Sequence, residues 1–224
     1  EDPGDGNTYS GIKSVDYWLV LDGVAGEHIN LFNFENDAPV YADLIANWDT
    51  TISVDTAAYN SCDVEVVVQA VDNAGNTTTN SAKLDIDVTA PVIALSYDNN
   101  NVRNNTYYNN TRTATIQITE RSHHFDPTAA TAGIEITAVD AEGNKVELNL
   151  NSMISSWTTT EGATPDEDVH TAAITYSADA NYTFKITYTD KAGNVSNTVE
   201  DAFTIDTNKP TGTVTALTGE GYEK

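Results

Sequence analysis

Four aspartates stand where a hard cation could find oxygen ligands: Asp72, Asp87, Asp190 and Asp206. Calcium (Ca2+) takes about six to eight oxygens from carboxylates, carbonyls and amide side chains. Asn73, Asn76, Asp85 and Asn194 supply further oxygens close by in the chain. No twelve-residue calcium loop accompanies them, and Asp and Asn are also ordinary turn formers. A second constellation is aromatic. Tyr107 and Tyr108 sit in the polar stretch 98–111, and Trp157 lies in the polar, acidic stretch 155–168. Rigid rings give contact area at modest entropic cost, so these three are the candidate ligand-binding residues. Catalytic chemistry is not supported in the same way. His123-His124 has no cysteine or carboxylate cluster at metal-ligand spacing. No Gly-x-Ser-x-Gly, phosphate loop or dinucleotide fingerprint occurs. The chain reads as non-enzymatic.

The aspartates belong to a pattern that occurs twice. Val71-Asp72-Asn73-Ala74-Gly75-Asn76 is followed by Leu84-Asp85-Ile86-Asp87-Val88-Thr89-Ala90-Pro91. Thr189-Asp190-Lys191-Ala192-Gly193-Asn194 is followed by Phe203-Thr204-Ile205-Asp206-Thr207-Asn208-Lys209-Pro210. The offsets agree, with 190 − 72 = 118 and 206 − 87 = 119. A repeat of this length suits whole domains rather than solenoid units. Each copy reads as a strand, a tight turn in which Gly takes positive φ, and a returning strand ended by proline. The expected division is therefore 1–90, with 1–10 as a loose lead-in, then 91–210. The tail 211–224 reads as the start of a third unit.

Strand periodicity fills both units. In the first, Val15, Tyr17, Leu19 and Leu21 alternate, as do Val64, Val66 and Val68. Residues 41–45 could form one helical turn, and Ile52 and Val54 a short strand. In the second, Ala114, Ile116 and Ile118 share one face of a strand that Phe125-Asp126-Pro127 caps. Ile134, Ile136 and Ala138 are expected to pair with Val146 and Leu148 across Asp140-Ala141-Glu142-Gly143-Asn144. His170, Ala172, Ile174 and Tyr176 share a face, as do Tyr182, Phe184, Ile186 and Tyr188. Short strands at this spacing predict an all-β chain of two antiparallel sandwiches.

Composition narrows the partners. The net charge of −24 disfavours nucleic acid and anionic lipid. Residues 1–90 carry −14 and residues 91–210 carry −9. No apolar run is long enough to cross a membrane. The single cysteine, Cys62, allows no intrachain disulfide. Secreted animal domains of this size often carry a pair, so its absence tilts toward a bacterial source.

The pairing of Asp-x-Ala-Gly-Asn with Ile-Asp-x-x-x-Pro resembles the end of bacterial immunoglobulin-like repeats, found mainly in Gram-positive cell-surface proteins. Ser10-Gly11-Ile12-Lys13-Ser14-Val15-Asp16-Tyr17-Trp18 resembles the opening of one variety. Arg112-Thr113-Ala114-Thr115-Ile116 with Phe125-Asp126, and His170-Thr171-Ala172 with Tyr182-Thr183-Phe184, resembles another. The resemblance covers most of residues 9–210. It implies tandem immunoglobulin-like sandwiches at the bacterial surface, cell-wall attached or secreted, acting as a stalk or adhesin segment beside neighbouring repeats. Partners of that class are host proteins, such as matrix glycoproteins or immunoglobulins. The competing class is a carbohydrate-binding module, in which Trp18, Trp48 or Trp157 would stack on sugars. Some Gram-positive domains of this kind carry a Lys–Asn isopeptide bond; Lys185 falls on an outward phase, whereas Lys13 shares the phase of Val15.

Overall fold

The computed structural model describes residues 12–33, 50–60 and 62–214. The chain divides into two compact units, Glu1–Thr89 and Ala90–Lys224. The expected turn at 41–45 and Trp48 lie outside the described residues, as do the lead-in 1–10 and the tail beyond Val214. From Thr211 to Val214 the tail forms no strand.

In the first unit the described residues build one antiparallel sheet. Its strands are β1 (Ile12–Leu21), β2 (Val24–Ala25), β3 (Ile29–Asn33), β4 (Cys62–Asp72) and β5 (Thr77–Ile86), ordered β2-β1-β4-β5 with β3 also on β1. Val15, Phe32, Val64, Val67 and Ile86 are buried. The alternation of Val64, Val66 and Val68 is only partly realised, because Val67 on the opposite face is buried while Val66 and Val68 are half-exposed. Trp18 stands directly opposite Val67 in the ladder, where a large cross-strand neighbour shields it. Ile52 and Val54 form no strand. The chain there instead enters a single 3-10 turn at Thr56–Ala58, capped by Asp55 Oδ1, which accepts from Ala57 N at 3.1 Å.

The second unit is a complete sandwich. Its elements are β6 (Val92–Tyr97), β7 (Tyr107–Tyr108), β8 (Arg112–Thr119), α1 (Pro127–Ala132), β9 (Ile134–Val139), α2 (Leu150–Met153), β10 (Thr158–Thr160), β11 (Val169–Tyr176), β12 (Ala180–Ile186) and β13 (Val199–Ile205). One sheet runs β10-β11-β8-β6 and the other β7-β13-β12-β9. Read in chain order, these are the ABED and CFG sheets of an immunoglobulin domain, with β7 added in parallel beside the last strand. Strict alternation puts Ala114, Ile116, Ile118, Ile174, Tyr176, Tyr182, Phe184 and Ile186 into one core between them.

A tyrosine corner completes the assignment. Tyr182, near the start of the sixth principal strand, donates its hydroxyl to Ala178 O at 2.9 Å. Phe184, two residues on, stands where antibody domains place a disulfide cysteine, and it is 2% exposed.

Two sequence expectations are corrected. Phe125-Asp126-Pro127 does not merely end a strand; it starts α1. Asp126 Oδ1 accepts from Thr128 N (2.8 Å) and Ala129 N (3.2 Å), and Pro127 fills the first turn, where no amide donor is needed. Val146 and Leu148 form no strand. β9 ends its sheet with β12 on one side, and on its open side only the bridge of Val139 to Lys145 and the bond from Val146 N to Ala138 O form before α2 begins.

Tyr182→Phe removes one hydrogen bond and leaves Ala178 O without it. The urea midpoint is expected to fall by the equivalent of about 1 kcal/mol with an unchanged m value.

Candidate functional site

The Asp-x-x-Gly-Asn turn occurs three times in space, once more than the repeat revealed. In each, the aspartate takes both the backbone and the side-chain amide of the asparagine four residues on. Asp72 holds Asn76 at 2.7 and 2.7 Å, Asp140 holds Asn144 at 2.7 and 3.0 Å, and Asp190 holds Asn194 at 2.8 and 3.0 Å. The glycines sit at φ 90°, 85° and 97°, a conformation that costs glycine little. At Asp140 the Asn144 side chain, then its backbone amide, holds the carboxyl below its ordinary range.

Within each unit the hairpin geometry separates the two candidate cation ligands. Asp72 adjoins the turn of the β4–β5 hairpin, whereas Asp87 follows its open end. Asp190 and Asp206 lie at opposite ends of the β12–β13 pair in the same way. At about 3.3 Å per residue the members of each pair are more than about 20 Å apart, so neither pair can share one ion. Asp87 Oδ1 accepts from Thr89 N (2.9 Å) and Asp206 Oδ1 from Asn208 N (3.0 Å), as turn formers do.

The aromatic candidates also part company. Tyr107 is half-exposed on β7, while Tyr108 is 8% exposed and faces the core, edge-on to Phe203. Trp18 stacks on His28 at 3.9 Å in the first unit. Lys185 is exposed beside Glu200 (3.5 Å), as its outward phase predicts, and Lys13 is exposed as well.

Trp157 lines a cleft of about 1040 Å³. Its walls are α1, α2, the segment 154–159 and the loop between β8 and α1. The floor is an aromatic stack. Phe125 lies flat on His170 (3.8 Å, 1°) and meets Trp157 at 5.4 Å and Tyr188 at 5.6 Å. Trp157 Nε1 donates to Thr131 Oγ1 at 2.9 Å, which fixes the indole against α1. Gly133 ends α1 against Thr187, whose backbone would collide with any Cβ there.

His170 uses both ring nitrogens inside this floor, one with Glu120 O and one with Thr159 Oγ1, each at 2.9 Å. Burial lowers its pKa, against the opposing pull of Glu120 O and the Asp168 charge. Asp168 anchors the rim. It accepts from Ser122 Oγ (2.5 Å), Ser122 N (3.3 Å) and Gly162 N (3.0 Å), and these bonds, Ser122 first, lower its pKa. Arg121 pairs with Asp166 at 3.0 Å. The stretch 158–168, a polar loop by sequence, is thus a short strand and a capped turn tied back to the sandwich. His123 and His124 contribute carbonyls: they accept from Lys191 Nζ (2.9 Å) and Lys191 N (3.1 Å).

Of the sequence candidates, only Trp157 lies at this cleft. Phe125, Thr131, Asn151 and Ser156 are its unforeseen neighbours. The Asp126-Pro127 pair, a helix-start signal, was the one local clue to α1 and so to a wall of the cleft.

No protein-family model matches the chain, and no curated protein matches it. Among solved structures it is similar to the Ig1–Ig2 pair of Dpr2, crystallised in complex with DIP-Theta Ig1–Ig3. The identity is 10%, over 91% of this chain and 98% of that one, with a TM-score of 0.22. The immunoglobulin-like class of the second unit stands on its strand order and tyrosine corner.

Two measurements test this account. Between the lowered His170 pKa and the ordinary value near 6.5, the unfolded chain binds a proton that the folded chain does not. Stability therefore falls as pH drops through that window and levels off below it; His170→Gln should flatten the slope in urea melts run from about pH 7.5 to about pH 5. In excess chelator, Asp190→Ala should still lose about 2 kcal/mol, because its partners are amides of the turn.

Proposed function

We propose that this chain is a non-enzymatic pair of immunoglobulin-like modules from a bacterial cell-surface protein, serving outside the cell as a stalk or adhesin segment that binds a host protein. The observation that carries this reading is modular closure. The hairpins at Asp72 and Asp190 are built with the same bond pattern, and each is followed by a strand and then a proline-ended linker. Such units can be strung in series without altering one another.

The side chains around the cleft favour recognition over reaction. Ser122 gives its proton to the Asp168 carboxylate, not to an imidazole, and both His170 nitrogens are occupied. Among the described residues no helix is long and apolar enough to cross a membrane.

The test is adhesion. Beads carrying the full chain should retain host matrix glycoproteins or immunoglobulins above a level set by beads carrying an unrelated acidic sandwich. Equal retention on both, across a panel of host extracts and purified proteins, would remove the adhesin reading.

A further inference from the structure

The cleft beside Trp157 differs in charge from the rest of the molecule. Of the chain's 224 residues 44 are charged, yet none of the fifteen residues lining the cleft is Asp, Glu, Lys or Arg. His170 is the one titratable group there, and burial disfavours its charged form. An anionic ligand would meet no countercharge in the lining, Arg121 at the rim being paired with Asp166, and a cation would find no carboxylate there.

What the lining does offer is a fixed ring and neutral hydrogen-bonding groups. The indole of Trp157 is held by Thr131 and braced by Phe125, so a ligand need not immobilise it. The side chains of Thr128, Asn151 and Ser156 line the cleft and make no hydrogen bond among the described residues. Hydroxyl and amide groups both donate and accept, as sugar hydroxyls do. A pyranose has a C–H face that suits an aromatic ring and a rim of hydroxyls that suits such neighbours.

We infer that this cleft binds a neutral carbohydrate, with Trp157 against the sugar ring and Asn151, Thr128 and Ser156 around its hydroxyls. The size agrees: small-ligand sites occupy about 300–1,000 Å³. A protein partner would instead need about 800 Å² of surface on each side, more than one concave cleft provides. The inference deepens the adhesin reading, since it names what such a module would grip on a glycosylated surface.

The experiment uses the full chain on a printed array of neutral and sialylated oligosaccharides, followed by titration of the best neutral binder. Neutral glycans should bind, and Asn151→Ala, on an exposed position that leaves the core intact, should weaken the best of them several-fold. Trp157→Ala should weaken it at least tenfold, with folding checked by urea melting. A blank array, binding confined to sialylated glycans, or neutral binding untouched by Asn151→Ala and Trp157→Ala would overturn the inference. Retention of a host protein together with a blank array would overturn it while leaving the adhesin reading intact.

Discussion

A buried guanidinium joins the two sheets of the second sandwich at one end. Arg112, 5% exposed, opens β8 and lies over Tyr97 at 3.4 Å, Tyr108 at 4.1 Å and Phe203 at 4.5 Å. Its Nη1 meets Asp201 at 3.4 Å and its Nε donates to Asn99 O at 3.1 Å. These partners come from β6, β7, β13 and the loop after β6, so a single side chain touches both layers. With one cysteine in the chain no disulfide can do this. A charge this deep is tolerated only because it is paired, hydrogen-bonded and faced by rings. Below it Phe203 packs against Tyr97, Tyr108, Tyr176 and Tyr182, and burial together with Asp201 pushes the Tyr97 phenol well above its ordinary pKa. The Tyr97 ring therefore stays neutral beside the guanidinium.

The same constraint explains why the tyrosine pair divides. β7 is clamped in parallel beside β13, so adjacent residues point to opposite faces, with Tyr108 in the box and Tyr107 outside. At the cleft the control is different. The Phe125, His170, Tyr188 and Trp157 stack holds the floor, and Asp168 with Arg121 and Asp166 holds the rim. Tyr188, whose phenol burial pushes up to about 12, accepts from Asp126 N at 2.8 Å and so ties the start of α1 to the same stack. A site built on such supports is preorganised, which lowers the ordering cost of binding.

Much of the architecture was legible in the sequence because its signals are local. Period-two alternation in Ala114, Ile116 and Ile118, or in Tyr182, Phe184 and Ile186, already says which side of each strand is buried. Asp-x-Ala-Gly-Asn dictates its turn through one glycine at positive φ and one aspartate within reach of two amides, so the repeat and its hairpins followed from residue identity alone. The all-β class and the outward phase of Lys185 belong with these.

Only the tertiary structure decided which of those residues meet. Asp72 and Asp87 look adjacent in a motif, yet a ten-residue strand carries them to opposite ends of a hairpin. Trp157, Phe125 and His170 are far apart in sequence and converge because β8 and β11 are ladder neighbours and α1 folds back over them. Val146 and Leu148 carry a strand pattern, yet on the open edge of β9 the pairing stops at one bridge and one hydrogen bond before the chain enters α2. Periodicity and turn chemistry act over a few residues, whereas strand order and the assembly of a cleft are set by contacts between segments that the local code does not compare.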